Sequence, residues 1–376
     1  EQMREATRLT QSGRLLEASE VIQRALSGAI SAVPGQTPAN PAEKAKVGAT
    51  RSATSTAVAA ASQVLDGCVS EPATAPDGEF IAGSHTHAGL TRDYKLYVPP
   101  GRTGKHLPMV VMLHGCTQNP DDFAAGTGMN VNAREQGFFV LYPAQAPSAN
   151  PSRCWNWFKH NHQQRGRGEP ALLASLTRSV MAQYGVDPSR VYIAGLSAGG
   201  AMAAIMAAAY PDIFAAVGVH SGLPSGVATN LTEALAAMKS GGADAIGPTR
   251  PAVGVAPTAP VPLIVFHGDQ DRTVHPRNGD QLIEAELGHI PAGSAHLDLP
   301  ASTRVEQGVS SSGRRYTRSV HLGSGARSLA EHWVVHGAGH AWSGGHAEGS
   351  YTDPDGPDAT REMLRFFFEH PHAPAH

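Results

Sequence analysis

No stretch of about 18 consecutive apolar residues occurs in the 376-residue chain, so no transmembrane helix is expected. Long runs of one charge are missing as well. Lys+Arg number 29 and Asp+Glu 32, a formal net charge of -3, and no basic stripe is present. That argues against a nucleic-acid partner. Neither a G-x-x-x-x-G-K-[ST] loop nor an H-E-x-x-H pair occurs, so a nucleotide cradle and a zincin-type metal site are not expected. His85-x-His87, the tail set His370, His372 and His376, and the trio His336, His340 and His346 lack the clustered carboxylates or cysteines that a metal site needs. No cofactor is expected. No secretory signal is visible, because Glu1–Thr10 is charged and polar. Cysteine is scarce: Cys68, Cys116 and Cys154 are an odd set and cannot all pair internally. Three free thiols in a cytosolic protein is one reading of that count.

Apolar residues make up 41% of the chain, enough for a sizeable core. Residues 1–30 carry apolar positions three and four apart around Gly13, which predicts a helical hairpin. One such unit is too few for a solenoid. It would dock on the main domain or on a second copy, a route to a homo-oligomer. Residues 31–76 are rich in Ala, Pro, Thr and Ser and read as a linker. From residue 77 to 376 the pattern is that of a catalytic domain. Phe80-Ile81 and Tyr94–Val98 predict an antiparallel start. Met109–Gly115, 138–143, 191–197, 215–222, 261–268 and 329–337 are apolar runs of buried-strand type, and helices are expected over 170–184, 198–209 and 358–369. Alternating strands and helices imply an α/β fold, a mostly parallel sheet covered on both faces. In such sheets the site lies at the carboxyl ends of the strands. The stretches 223–260 and 276–327 are poorly patterned and read as loop insertions near the mouth of the site.

Gly195-Leu196-Ser197-Ala198-Gly199 follows an apolar strand and precedes an Ala-rich helix, the context of a nucleophile elbow. The glycines let the backbone close, Ser197 is lifted out, and the helix start places positive dipole near a developing oxyanion. A serine hydroxyl needs an adjacent base. In the order serine, acid, histidine, the strand at 261–268 leads to Asp269 and Asp271, and the strand at 329–337 leads to His340. Asp271, further beyond the strand end, is preferred as the acid, with Asp269 bracing the loop. His340 in its Gly-rich loop is preferred as the base over His336 and His346. The Ala198 N–H and the Cys116 N–H, in the loop His114–Gln118, are the expected oxyanion donors.

Together LHGCTQ (113–118), CWNWF (154–158), GLSAGGAM (195–202), HGDQDRTV (267–274) and GHAWSGG (339–345) resemble the polyhydroxybutyrate depolymerase family of α/β-hydrolase esterases, with feruloyl and acetylxylan esterases nearby. The resemblance covers about residues 80–370. It implies Ser197, Asp271 and His340 as a triad and a disulfide between Cys116 and Cys154, which would favour an extracellular or periplasmic location. Cys68 would then be free. It implies short hydroxyalkanoate esters or polyesters as substrates; feruloyl or acetylxylan esters are the alternative, and a non-catalytic binding protein on the same fold is an alternative of another class. Trp342, Trp155 and Asn156 are expected to touch substrate, although core packing is the commoner fate of tryptophan.

Overall fold

In the computed structural model, the described residues are 77–101, 104–242, 261–288, 302–323 and 327–373. The expected hairpin at 1–30, the linker at 31–76 and Cys68 lie outside them.

Ten strands form one sheet. β1 (Glu79–His87) and β2 (Leu90–Val98) are the antiparallel start. They are followed by β3 (Met109–Leu113), β4 (Phe139–Pro143), β5 (Val191–Leu196), β6 (Ala216–His220), β7 (Leu263–Gly268), β8 (Ser302–Val309), β9 (Arg315–Leu322) and β10 (Ser328–Val335). The spatial order is β1-β2-β4-β3-β5-β6-β7-β10-β9-β8. The inner six, β4-β3-β5-β6-β7-β10, are parallel, and an antiparallel hairpin closes each edge. Five of those six strands are buried at every position because helices cover both faces.

Among the described residues, seven α-helices accompany the strands: α1 (Pro120–Thr127), α2 (Met129–Gln136), α3 (Gly168–Tyr184), α4 (Ala198–Ala209), α5 (Leu231–Ser240), α6 (Arg277–Gly288) and α7 (Ala359–Glu369). Period-2 alternation assigns each strand's side chains to two cores. Met109, Val111 and Leu113 join residues of α3, α4 and α6 on one face. Val110 and Met112 join Phe123 of α1 and Phe366 and Phe367 of α7 on the other. Local chemistry sets the helix ends. Asn119 caps α1 by accepting the Asp121 and Asp122 N–H groups, Pro120 opens it, and Gly128 closes it at φ 61°.

The two stretches expected as loop insertions contain regular structure. α5, α6 and the hairpin β8–β9 lie within them. The hairpin stands at a sheet edge with most of β8 exposed, so it carries few apolar residues for a pattern to reveal. A short pair, β11 (Trp342–Ser343) and β12 (Thr352–Asp353), follows β10 and holds the loop between them.

Candidate active site

Ser197 joins β5 to α4 with φ 58° and ψ -121°. A non-glycine residue keeps such a backbone only where its surroundings hold it. Here its N–H donates to the His220 carbonyl at 2.9 Å, and α4 starts at the next residue. The second motif glycine is sterically required: a Cβ on Gly199 would stand 2.0 Å from the Leu113 carbonyl oxygen. Close approach of α4 to the end of β3 thus brings the elbow beside the His114–Gln118 loop.

Asp271 follows β7 and His340 follows β10, an adjacent parallel strand. The two loops touch at Gly268, where a Cβ would lie 2.4 Å from the Ala338 carbonyl oxygen. His340 Nδ1 lies 2.7 Å from Asp271 Oδ2. The other carboxylate oxygen accepts the Thr273 and Val274 N–H groups at 2.8 and 2.9 Å. Burial alone would push the Asp271 carboxyl up, but its contacts with His267 and His340 outweigh that and hold it far below the usual carboxylate range. Because Nδ1 faces the carboxylate, Nε2 is the proton-accepting nitrogen of His340. Neither His340 Nε2 nor Ser197 Oγ has a hydrogen-bond partner among the described residues; such contacts commonly tighten only when substrate is bound.

The rival residues pair with each other. His336 Nδ1 lies 2.9 Å from Asp269 Oδ2, and His336 Nε2 lies 2.8 Å from Thr317 Oγ1. His346 is held elsewhere: its N–H donates to the Gly126 carbonyl at the α1–α2 junction.

In the loop after β3, three of the four N–H groups from Gly115 to Gln118 have partners inside the protein. Gly115 N–H donates to Gln118 Oε1, Thr117 N–H to the Ser152 carbonyl, and Gln118 N–H to the Gly115 carbonyl. Of these four, Cys116 has none among the described residues, so its N–H is available to a ligand. A Cβ on Gly115 would be 3.6 Å from Ser197 Cβ, which puts this loop against the elbow. The Cys116–Cys154 disulfide, spanning 38 positions, ties the loop to the CWNWF segment. The Trp155 indole adds a second tie by donating to the His114 carbonyl at 3.1 Å.

The three side chains expected to meet substrate are all buried and held by neighbours within the protein. Trp342 is 1% exposed, stacks on His220 and gives its N–H to Thr360. Trp155 is fully buried, and Asn156 bonds Glu169 through both its backbone N–H and its amide. Glu169 was invisible to motif reading. Its buried carboxylate also accepts from Gln145 and Arg92, at 2.6 and 3.2 Å. Burial pushes Glu169 up, but contacts with His162, Gln145 and the Asn156 N–H outweigh that and bring it down to about 2. His220 was missed too. Its carbonyl holds the Ser197 N–H while its Nε2 accepts the Ser343 N–H, two residues before which the base loop ends. Burial, helped by His267 and His340, lowers His220 to about 3, so the ring is neutral. A neutral buried imidazole carries no motif of its own, and the strand ending at His220 was its only signal.

Residues 92–296 match the family described as esterase PHB depolymerase. The chain belongs to this family. Ser197, Asp271 and the disulfide lie within the matched residues, and His340 lies beyond them. The poly(3-hydroxyalkanoate) depolymerase C of Paucimonas lemoignei is 35% identical over 54% of this chain and 50% of its own length. A probable acetylxylan esterase A of Aspergillus fumigatus is 31% identical over 49% of this chain and 51% of its own. A feruloyl esterase B of Neurospora crassa is 34% identical over 34% of this chain and 42% of its own. The chain spans about half the length of the first two. An acetyl xylan esterase structure from Aspergillus awamori superposes with a TM-score of 0.59 at 21% identity, covering 77% of this chain and 99% of that one. That likeness concerns the fold, which is the α/β-hydrolase fold. Among the described residues, no helix is long and apolar enough to cross a membrane.

Proposed function

We propose that this chain hydrolyses carboxylic esters through an acyl-enzyme on Ser197. The observation that carries the reading is the 2.7 Å contact between His340 Nδ1 and the buried Asp271 carboxylate, on loops that follow β7 and β10 of the sheet whose strand β5 ends in the strained Ser197 elbow. His340 Nε2 takes the proton as Ser197 Oγ attacks the ester carbonyl carbon. The carbonyl oxygen gains negative charge and accepts from the N–H groups of Cys116 and Ala198. The C–O bond to the alcohol then breaks, and His340 returns the proton to the departing oxygen. Water repeats the sequence on the acyl-enzyme and restores Ser197. Asp271 fixes the tautomer throughout and steadies the imidazolium. Nucleophile, base and oxyanion donors are all protein groups, so the reaction needs no cofactor.

Short hydroxyalkanoate esters and related polyesters are the preferred substrate class, supported by the family and by the Paucimonas lemoignei relative. Acyl groups on carbohydrate are the second reading, supported by the acetylxylan and feruloyl esterase relatives. The disulfide favours an oxidising compartment, outside the cell or in a periplasm.

The test is hydrolysis of p-nitrophenyl butyrate by wild type and Ser197→Ala, followed by a panel releasing 3-hydroxybutyrate, acetate or ferulate. Wild type should be active and Ser197→Ala at least 1,000-fold slower, roughly the loss seen when a serine nucleophile is removed. Equal, slow rates for both proteins would overturn the esterase reading. The panel decides between the two substrate classes.

A further inference from the structure

The side chains expected to meet substrate are buried, yet one aromatic ring stands in the open beside the base. Tyr351 is 41% exposed and precedes β12. Its ring meets that of His340 edge to face, at a centroid distance of 6.4 Å and 80°. Its hydroxyl lies 3.3 Å from Thr117 Oγ1, next to Cys116. It therefore touches both the loop that carries the base and the loop that carries the free Cys116 N–H.

Its backbone is strained to reach that place. Tyr351 has φ 54°, a region that a bulky residue rarely occupies without a local reason. The neighbouring chain over-determines it. Ser350 gives its N–H to Asp122 Oδ1 and its hydroxyl to Asp122 Oδ2, at 2.8 and 2.6 Å. Gln118 Nε2 donates to the Ser350 carbonyl at 3.0 Å, and the Tyr351 carbonyl accepts the Trp342 N–H at 2.7 Å. Four hydrogen bonds on both sides of one residue lock a conformation that leaves a large apolar face in water. Packing does not require that exposure, and glycine or asparagine would fit the turn with less strain.

We infer that Tyr351 is the specificity-determining contact for the alcohol half of the ester. It rests on the esterase reading. The ring abuts His340, the group that protonates the departing oxygen, so the atoms attached to that oxygen lie on the Tyr351 side. An exposed phenol ring recognises an apolar or ring-bearing surface through area and edge-to-face contact. Tyr351 thus favours esters whose alcohol portion is aromatic or alicyclic over those of methanol.

Three variants separate this from a structural role. Tyr351→Asn tolerates the left-handed backbone but removes the ring, Tyr351→Phe keeps the ring and removes the hydroxyl, and Tyr351→Gly relieves the strain. The measurement is kcat/KM on methyl butyrate and benzyl butyrate, with one acyl group throughout. Tyr351→Asn and Tyr351→Gly should lose about threefold to tenfold on benzyl butyrate, the scale of one aromatic contact, while changing by less than about twofold on methyl butyrate. Tyr351→Phe should stay near wild type on both. Equal losses on both esters, or a Tyr351→Phe that behaves like Tyr351→Asn, would overturn the inference. A parallel titration of benzyl butyrate into Ser197→Ala and into the Ser197→Ala, Tyr351→Asn pair, followed by NMR, reads binding without turnover. Weaker binding in the double variant supports the contact even if wild type proves inactive, whereas equal binding removes it.

Discussion

Two aspartate–histidine pairs stand side by side on the same two loops, and they differ in almost everything except residue type. Asp271 and His340 are 69 positions apart, and Asp269 and His336 are 67 apart. The contact distances, 2.7 and 2.9 Å, are close. The side chains of the first pair are 0% and 10% exposed, and those of the second 32% and 34%. The far nitrogen of His336 is occupied by Thr317, whereas that of His340 has no protein partner among the described residues. A carboxylate kept from water and a free Nε2 are what proton transfer demands. A solvated pair with both nitrogens engaged fits a rivet: Asp269 also accepts the Gly337 N–H at 2.7 Å and so fastens the loop after β7 to the end of β10. Distance alone does not separate the two pairs; desolvation and the second nitrogen do, and both favour the first pair for the proposed proton transfer.

The sharpest way to break this contrast is to neutralise each acid in turn. Asp271→Asn should lower kcat on p-nitrophenyl butyrate by about 10,000-fold, because an amide can hold His340 in the wrong tautomer. Asp269→Asn should retain activity within about threefold, as expected when only a solvated pair is weakened. A larger loss for Asp269→Asn than for Asp271→Asn would exchange the roles of the two pairs.

How far the sequence revealed this contrast follows from the same physics. The central strands were legible because a strand buried on both faces must be apolar throughout, as in Met109–Leu113. The elbow was legible because a carbonyl 2.0 Å from a would-be Cβ admits only glycine at position 199. Asp271 and His340 could be chosen from their distance past a strand end, since a parallel sheet fixes where those ends are. The edge hairpin β8–β9 was hidden because exposed strands have no apolar signature. The burial of Trp342 and Trp155 is hidden in the sequence because it gives a side chain's size and position but not its direction. Both indoles point inward, to Thr360 and His114. Glu169 and Tyr351 belong to no motif, and long-range packing alone makes them matter.

The loop opposite these pairs depends on covalent and packed support, so its removal should come next in size. Breaking the Cys116–Cys154 bond, which spans 38 positions, should cost about 3–4 kcal/mol in the loop-entropy model. Urea unfolding of Cys116→Ser, Cys154→Ser protein against wild type measures that cost directly. The same protein should also lose activity beyond its loss of stability, since the Cys116 N–H would no longer be held against the elbow. A midpoint unchanged by the double substitution would show that Trp155 and the Glu169 cluster hold the loop without the bond.

Acid distinguishes buried imidazoles from exposed ones. Burial lowers His114 to about 4 and His220 to about 3. The unfolded chain binds protons near the ordinary histidine value of about 6.5, so the folded state gains less from protonation as pH falls. Stability from these two rings is therefore full above about 6.5 and declines below it, by about 2 kcal/mol for each ring between pH 6.5 and 5. Asp271, held low, adds a further loss only below about pH 4. Urea midpoints at pH 7.5 and 5 report the histidine part without the aspartate part. A flat profile over that interval would mean that His114 and His220 accept protons without unfolding.

The smallest effect concerns the rivet itself. Asp269 and His336 are each about a third exposed, and pairs in that setting couple by about 1 kcal/mol or less. A double-mutant cycle of Asp269→Asn and His336→Gln, read by urea unfolding at pH 7.5, isolates that coupling from the single losses. Its expected value is below about 1 kcal/mol, and activity should follow stability with no separate loss. The corresponding cycle of Asp271→Asn with His340→Gln should behave oppositely in activity, each single change abolishing nearly the whole rate so that the second adds little, as in groups that act as one unit. If the outer pair also shows that non-additivity in rate, the two pairs are one connected device rather than a reaction centre and its rivet.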